Sequence, residues 1–90
     1  MALVRRGGAQ SVAVLEGGAA EILELRVRPD CAIAGRPLRE VDFPPGALLA
    51  LVARREKVFV PKGDDALEPG DMVVAFSLAK SIDRLERLFD

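Results

Sequence analysis

Five residue types, His, Asn, Thr, Tyr and Trp, do not occur in this 90-residue chain. With only Ser11, Ser77, Ser81 and Gln10 beside them, the side chains from which most nucleophiles, general bases and oxyanion donors are drawn are nearly absent. Catalysis would have to rest on carboxylates, Arg and Lys, so the sequence argues against an enzyme. Cys31 is the single cysteine, which excludes an intramolecular disulfide and points to a reducing compartment. Without a histidine to activate it, this thiol is a poor nucleophile and reads as a partly buried turn residue. The longest apolar run, ALLALVA at 47–53, falls far short of the ~20 residues that span a bilayer. Met1 to Arg6 is basic, but the GGAQSVAVLEGG that follows is broken by Gly and by Glu16 and makes no signal-peptide core. The chain therefore reads as cytosolic, with no membrane insertion. Thirteen basic residues against 14 acidic ones leave no field that would draw it onto nucleic acid. The Arg residues are scattered, and no Tyr or Trp is available for base stacking.

What is present is apolar. Half of the residues are hydrophobic, yet only four are aromatic, all Phe, so one small core must be built from Val, Leu, Ile and Ala. VAVL at 12–15 is a short strand candidate between the RRGG of 5–8 and the GG of 17–18. In AEILELRVR, 20–28, apolar Leu23, Leu25 and Val27 alternate with Glu24, Arg26 and Arg28, the period of a half-buried strand. Gly35 followed by Pro37, Leu38 and Val41 predicts one or two helical turns over 37–42, stopped by Pro44 and Pro45. ALLALVARR, 47–55, is apolar on both faces, which predicts a strand covered from both sides at the centre of the sheet. KVFVP, 57–61, forms a hairpin with it, and DMVVAF, 71–76, is a further strand. In SIDRLERLF, Ile82, Leu85, Leu88 and Phe89 recur at helical spacing opposite Asp83, Arg84, Glu86 and Arg87, with Ser81 placed to cap. These elements predict an α+β fold: a small β-sheet with a β-hairpin, one short helix after the first strand, and a C-terminal amphipathic helix.

The stretch PKGDDALEPGD, 61–71, holds four acidic side chains. Asp64, Asp65, Glu68 and Asp71 offer oxygen ligands, but Pro69 and Gly70 sit where a calcium loop needs donors. Pro69-Gly70 suits the centre of a type II turn, Gly63-Asp64 suits a second turn, and Leu67 is left as an apolar anchor. We read the stretch as a corner and assign no metal.

The order of these features resembles a known family. Gly35 and Leu38, then Pro44-Pro45-Gly46, Arg54 at a strand end, Pro61, the set Gly63, Asp64, Leu67, Gly70 and Asp71, and the ending Leu85-Glu86-Arg87-Leu88-Phe89 together resemble the RCK_C, or TrkA-C, subdomain of TrkA-type potassium uptake regulators. The likeness divides the chain into an approach segment, 1–19, with one short strand, and an RCK_C-like regulatory domain, 20–90. It implies a ligand-sensing, dimer-forming module of a cytosolic subunit that controls potassium transport through a membrane transporter subunit. The implied site lies at the inner face of the membrane. Such regulators carry a Rossmann-type nucleotide-binding domain elsewhere, and no G-x-G-x-x-G occurs here, so no cofactor is assigned to these residues. Some members receive a cyclic dinucleotide, which makes a nucleotide or cyclic dinucleotide the effector to consider. Arg36, Arg54 and Arg55 are the ligand-binding candidates, since guanidinium groups grip phosphate with two prongs. A homodimer is also expected on physical grounds, because a small chain this apolar has surplus surface to cover. Two other readings stay open at this point: a carboxylate-based metal-binding or enzymatic domain, and a ligand-free dimerisation module.

Overall fold

Short apolar runs set the sheet. In the computed structural model, which describes residues 9–90, they become β1 (Gln10–Leu15), β2 (Ala20–Arg26), β3 (Ala47–Arg54), β4 (Lys57–Phe59) and β5 (Met72–Leu78), followed by helix α1 (Ile82–Leu88). Neighbouring strands of the sheet pair antiparallel, in the order β1-β2-β5-β3-β4. The basic residues Met1 to Arg6 and the RRGG of 5–8 lie outside the described residues.

Register decides what each face carries. Leu25 pairs with Val73 and Leu23 with Ala75, and on the other side Val73 pairs with Val52 and Ala75 with Leu49. This face holds the core: Leu23, Leu25, Val52, Val73 and Ala75 are fully buried. Ile82 and Leu85 of α1 and Phe89 at its C-terminal cap close over it, joined by Ile33, Leu38 and Val41 from the long β2–β3 connection and by Leu67. A helix of seven residues is too short to hold its own in water, where roughly 12 to 15 are needed for marginal stability. It exists because Leu85 and Phe89 are wholly buried, each worth about 1.5 to 3 kcal/mol, and because the Leu88 carbonyl accepts the amide of Ile33.

Four expectations need revision. The centre of the sheet is β5 and not β3, and one face of β3 stays open: Leu48 is 54% exposed. An irregularity between Leu49 and Leu51 sends Leu48 and Leu51 to the same face, so the run ALLALVA is apolar on both sides without being covered on both. Glu86 is buried, not solvated, because it lies four residues after Ile82 and so shares the stripe of Ile82, Leu85 and Phe89. Ser81 precedes α1 but does not cap it; its hydroxyl donates to the Pro45 carbonyl and pins the double-proline corner to the helix start. The predicted turns at 37–42 contract to a 3-10 turn, Leu38–Glu40, after which Val41 returns to extended backbone.

The corner leading into β3 depends on one glycine. Gly46 has φ +88°, its carbonyl accepts the Leu78 amide, and a Cβ there would stand 2.8 Å from Leu78 Cδ1. Gly70 has a similar φ of +95° but faces open space. Gly70→Ala is therefore expected to cost about 1 kcal/mol from backbone strain alone, and Gly46→Ala about 2 to 3 kcal/mol. Urea denaturation of both variants checks this, and equal losses would refute the contact with Leu78.

Candidate functional site

The acidic stretch folds as two turns around one anchor. The first, Lys62 to Asp65, is closed by the Asp65 amide on the Lys62 carbonyl at 3.0 Å and by the Lys62 amide on Asp65 Oδ2 at 2.7 Å. The second, Glu68 to Asp71, is closed by the Asp71 amide on the Glu68 carbonyl at 3.0 Å, with Gly70 at positive φ as a type II turn requires. Leu67 between them is fully buried. The stretch is stitched to the β2–β3 connection through the amides of Gly35, Leu38 and Arg39, which donate to the carbonyls of Leu67, Asp65 and Gly63.

The carboxylates bond to protein groups, two of them to the same arginine. Asp64 pairs with exposed Arg39, Asp65 closes its own turn, and Asp71 turns inward, 1% exposed. There it accepts Arg54 Nε at 3.0 Å and Arg54 Nη2 at 2.8 Å, a two-pronged pair, and also the Glu68 amide at 2.9 Å. Arg54 Nη2 further donates to the Ala66 carbonyl at 3.0 Å, Nη1 lies 3.1 Å from Glu68 Oε2, and the guanidinium stacks 5.2 Å from the centre of the Phe59 ring. Every nitrogen of the Arg54 guanidinium thus fastens the end of β3 to the loop that enters β5.

An open cavity of about 970 Å3 lies beside this latch, lined by Arg54, Arg55, Glu56, Lys57, Val58, Phe59, Asp65 and Glu68. Arg55 and Lys57 are exposed at its mouth. Arg55 occupies the first position of the two-residue β3–β4 turn with φ +55°, where glycine is usual. The structure thus brings two of the sequence candidates, Arg54 and Arg55, to one cavity. Arg36 is not among its lining residues; it lies in the β2–β3 connection and donates to the Glu40 carbonyl at 3.1 Å. Sequence reasoning missed Lys57, Phe59 and the pairing role of Asp71. A signal existed for the last: an acidic residue directly ahead of the apolar run MVVAF must enter the sheet with a cationic partner.

The matching family model is the TrkA-C domain, over residues 22–90. The chain belongs to the TrkA-C family. This TrkA-C domain is 39% identical over 82 residues to the Trk system potassium uptake protein TrkA homolog 1 of Methanosarcina mazei, covering 91% of this chain and 18% of that protein. It is 40% identical over 86 residues to the Trk system potassium uptake protein TrkA of Azorhizobium caulinodans, covering 96% of this chain and 19% of that one. The chain thus spans under a fifth of the length of these relatives. A solved structure described as an RCK domain with cda shares the fold, with a TM-score of 0.63 at 22% identity over 74% of this chain and 96% of that one. The family is that of a regulatory domain in potassium uptake proteins, and the small antiparallel sheet with its C-terminal helix agrees with it. Among the described residues no helix is long and apolar enough to cross a membrane.

The latch has a titration signature. Burial pushes the Asp71 carboxyl up, but the Arg54 hydrogen bonds, the Glu68 amide and the charges of Arg54 and Arg55 outweigh it and hold it below 3.8. Arg54, raised chiefly by its bonds to Asp71, stays charged throughout. Between the unfolded and folded Asp71 values the unfolded chain binds more protons. The contribution of the pair is therefore complete above about pH 4 and is lost as pH falls through the lower, folded value. Asp71→Asn should cost about 2 to 4 kcal/mol at pH 7, because it leaves a largely buried guanidinium half-paired, and should flatten the acid limb of stability against pH. Thermal melts from pH 2 to 7 measure both; an unchanged acid limb would show that other carboxylates carry it.

Proposed function

We propose that this domain is the effector-responsive, dimer-forming module of a cytosolic regulator of a membrane potassium transporter. In this reading the cavity beside the β3–β4 turn receives a nucleotide or cyclic dinucleotide. The observation that carries the proposal is the pairing of exposed cations, Arg55 and Lys57, with a wall fixed by Arg54. The likeness to Trk potassium uptake proteins and to an RCK domain described with cda supports it. The transporter subunit and a Rossmann-type nucleotide-binding domain are then the partners in the full-length regulator, on the cytoplasmic side of the membrane. The module acts by binding and not by bond-making.

The lining suggests how occupancy changes conformation. Glu56, Asp65 and Glu68 balance the three cations of the cavity, so a phosphate must displace an acidic partner. Glu68 is the one to leave, since its carboxylate is half-exposed and touches only Arg54 Nη1, while Asp71 keeps Nε and Nη2. Release of Glu68 alters the loop that is stitched to residues 35–39, so the ligand distinguishes two arrangements of the loop. Only such differential affinity can shift an equilibrium. Arg36 has no contact with the effector in this scheme.

Thermal shift and calorimetry with cyclic di-AMP and ATP test it. A ligand at 100 times its Kd should stabilise the fold by about 2.7 kcal/mol, a rise of roughly 10 °C or more for a domain this small. Arg55→Gly should keep or raise the melting temperature, because it relieves a positive φ, yet weaken binding about tenfold. Glu68→Gln should tighten it by removing the competitor. No shift with either ligand at millimolar concentration would end the proposal.

A further inference from the structure

The outer edge of β3 is covered over less than half its length. β4 pairs with Val52, Ala53 and Arg54 alone, whereas β3 begins at Ala47. Continuing that register would set Ala50 opposite Pro61, which has no amide to donate, and the turn from Lys62 to Asp65 then carries the chain away. The first half of β3 is therefore bonded to β5 on one side, with no strand on the other among the described residues. The phase of the β3–β5 ladder fixes which of its backbone groups point outward. The Leu78 amide donates to the Gly46 carbonyl, so Gly46-Leu78 and, two residues on, Leu48-Phe76 are hydrogen-bonded pairs, and Ala47 and Leu49 turn their backbone groups away from β5. The Ala47 amide is taken by the Pro44 carbonyl at 3.3 Å. The Ala47 carbonyl and both backbone groups of Leu49 are left facing the open edge, spaced as an added strand would meet them.

These groups open onto a second cavity, of about 260 Å3, between β3, the 3-10 turn Leu38–Glu40 and residues 61–63. Leu38, Phe43, Leu49 and Pro61 give it apolar walls, and the charged side chains that line it, Arg39 and Lys62, are both basic and both exposed. Asp64 meets Arg39, but no acidic residue lines this cavity, whereas three acids face three cations in the β3–β4 cavity. We infer that the free edge of β3 is a docking site for an extended segment of a partner protein, with an apolar residue flanked by acidic ones, which adds to the sheet as a strand beside residues 47–49. Three features of the groove select that occupant. The outward carbonyls and amide match the backbone of an extended peptide, which a compact anion does not reproduce. A residue opposite Leu49 turns its side chain to the same face as Leu49, where Leu49 and Phe43 pack against the core, so an apolar side chain is covered there. Two cations against the single acid Asp64 leave the rim positive, which favours acidic neighbours of that residue. The two cavities share no lining residue, so this site stands apart from the effector reading given above.

Titration of the isotope-labelled chain with the pentapeptide acetyl-Val-Glu-Val-Glu-Val-amide, followed in the amide NMR spectrum, tests the inference. The amides of residues 47–49 and 62–63 should shift saturably with a Kd of roughly 1 mM or tighter, and the Leu49 amide should exchange more slowly with deuterated solvent. Methylating the amide nitrogen of the central valine removes one ladder bond and should weaken binding about tenfold. Lys62→Glu changes an exposed side chain, so it should fold, and it should weaken binding about fivefold. The counterpart peptide with lysine in place of glutamate should leave residues 47–49 unmoved. No shift at residues 47–49, equal affinity of the methylated peptide, or equal binding of the lysine peptide would each overturn the inference. Shifts at residues 47–49 that follow the concentration of the chain itself, without peptide, would give the edge to a second copy and overturn it as well.

Discussion

The ion pair of Arg54 with Asp71 is the constraint around which the rest of this small domain is arranged. Its two members are 17 residues apart, at the end of one strand and directly before another, and between them lie the β3–β4 turn, β4 and a corner of eleven residues outside the strands. A connection that long would ordinarily be loose. Here the guanidinium reaches the Asp71 carboxylate, the Ala66 carbonyl and Glu68 at once, so one side chain holds the second turn and the residue that leads out of the first. Asp71 is satisfied by three donors, which is what allows a charged group to sit at the edge of a Val and Leu core.

From that fixed corner the order propagates by backbone bonding. Residues 63–67 supply carbonyls to Gly35, Leu38 and Arg39, and the Gly70 amide and Asp71 carbonyl close on Val27. The irregular parts of the chain thus satisfy one another in place of a sheet ladder. Leu67, Leu38 and Ile33 are carried into the core by this mutual support. The cavity sits where the corner meets the β3–β4 turn, so a ligand there would touch the one place at which strand ends and loops are joined.

Much of this was legible in the sequence, and the limits have physical causes. The strand at 20–26 follows from alternation and the one at 72–78 from an apolar run rich in Val, both local signals, and the two turns are local as well, because Pro-Gly and Gly-Asp set backbone angles by their own chemistry. The amphipathic helix was legible in outline, although the place of Glu86 on its buried stripe follows from helix geometry and not from its charge. What escaped depends on contacts distant in sequence. The Ser81 hydroxyl prefers a carbonyl 36 positions away to the cap it stands beside. The run ALLALVA announces two apolar faces but cannot say whether anything covers them, which is why β3 reads as central and proves to be second from the edge. The sequence offered Arg54 as a ligand-binding candidate, and only the fold reveals that its nitrogens already have partners within the chain.

The brevity of α1 also governs how the molecule breathes. Seven residues that rely on the sheet for their existence cannot fray as an independent unit, and the Ile33 amide bound to Leu88 ties their last turn to the body. Its amides should exchange with deuterated solvent by the same opening that releases β5, so that helix and central strand form one cooperative block, while the exposed β3–β4 turn opens alone and far more often.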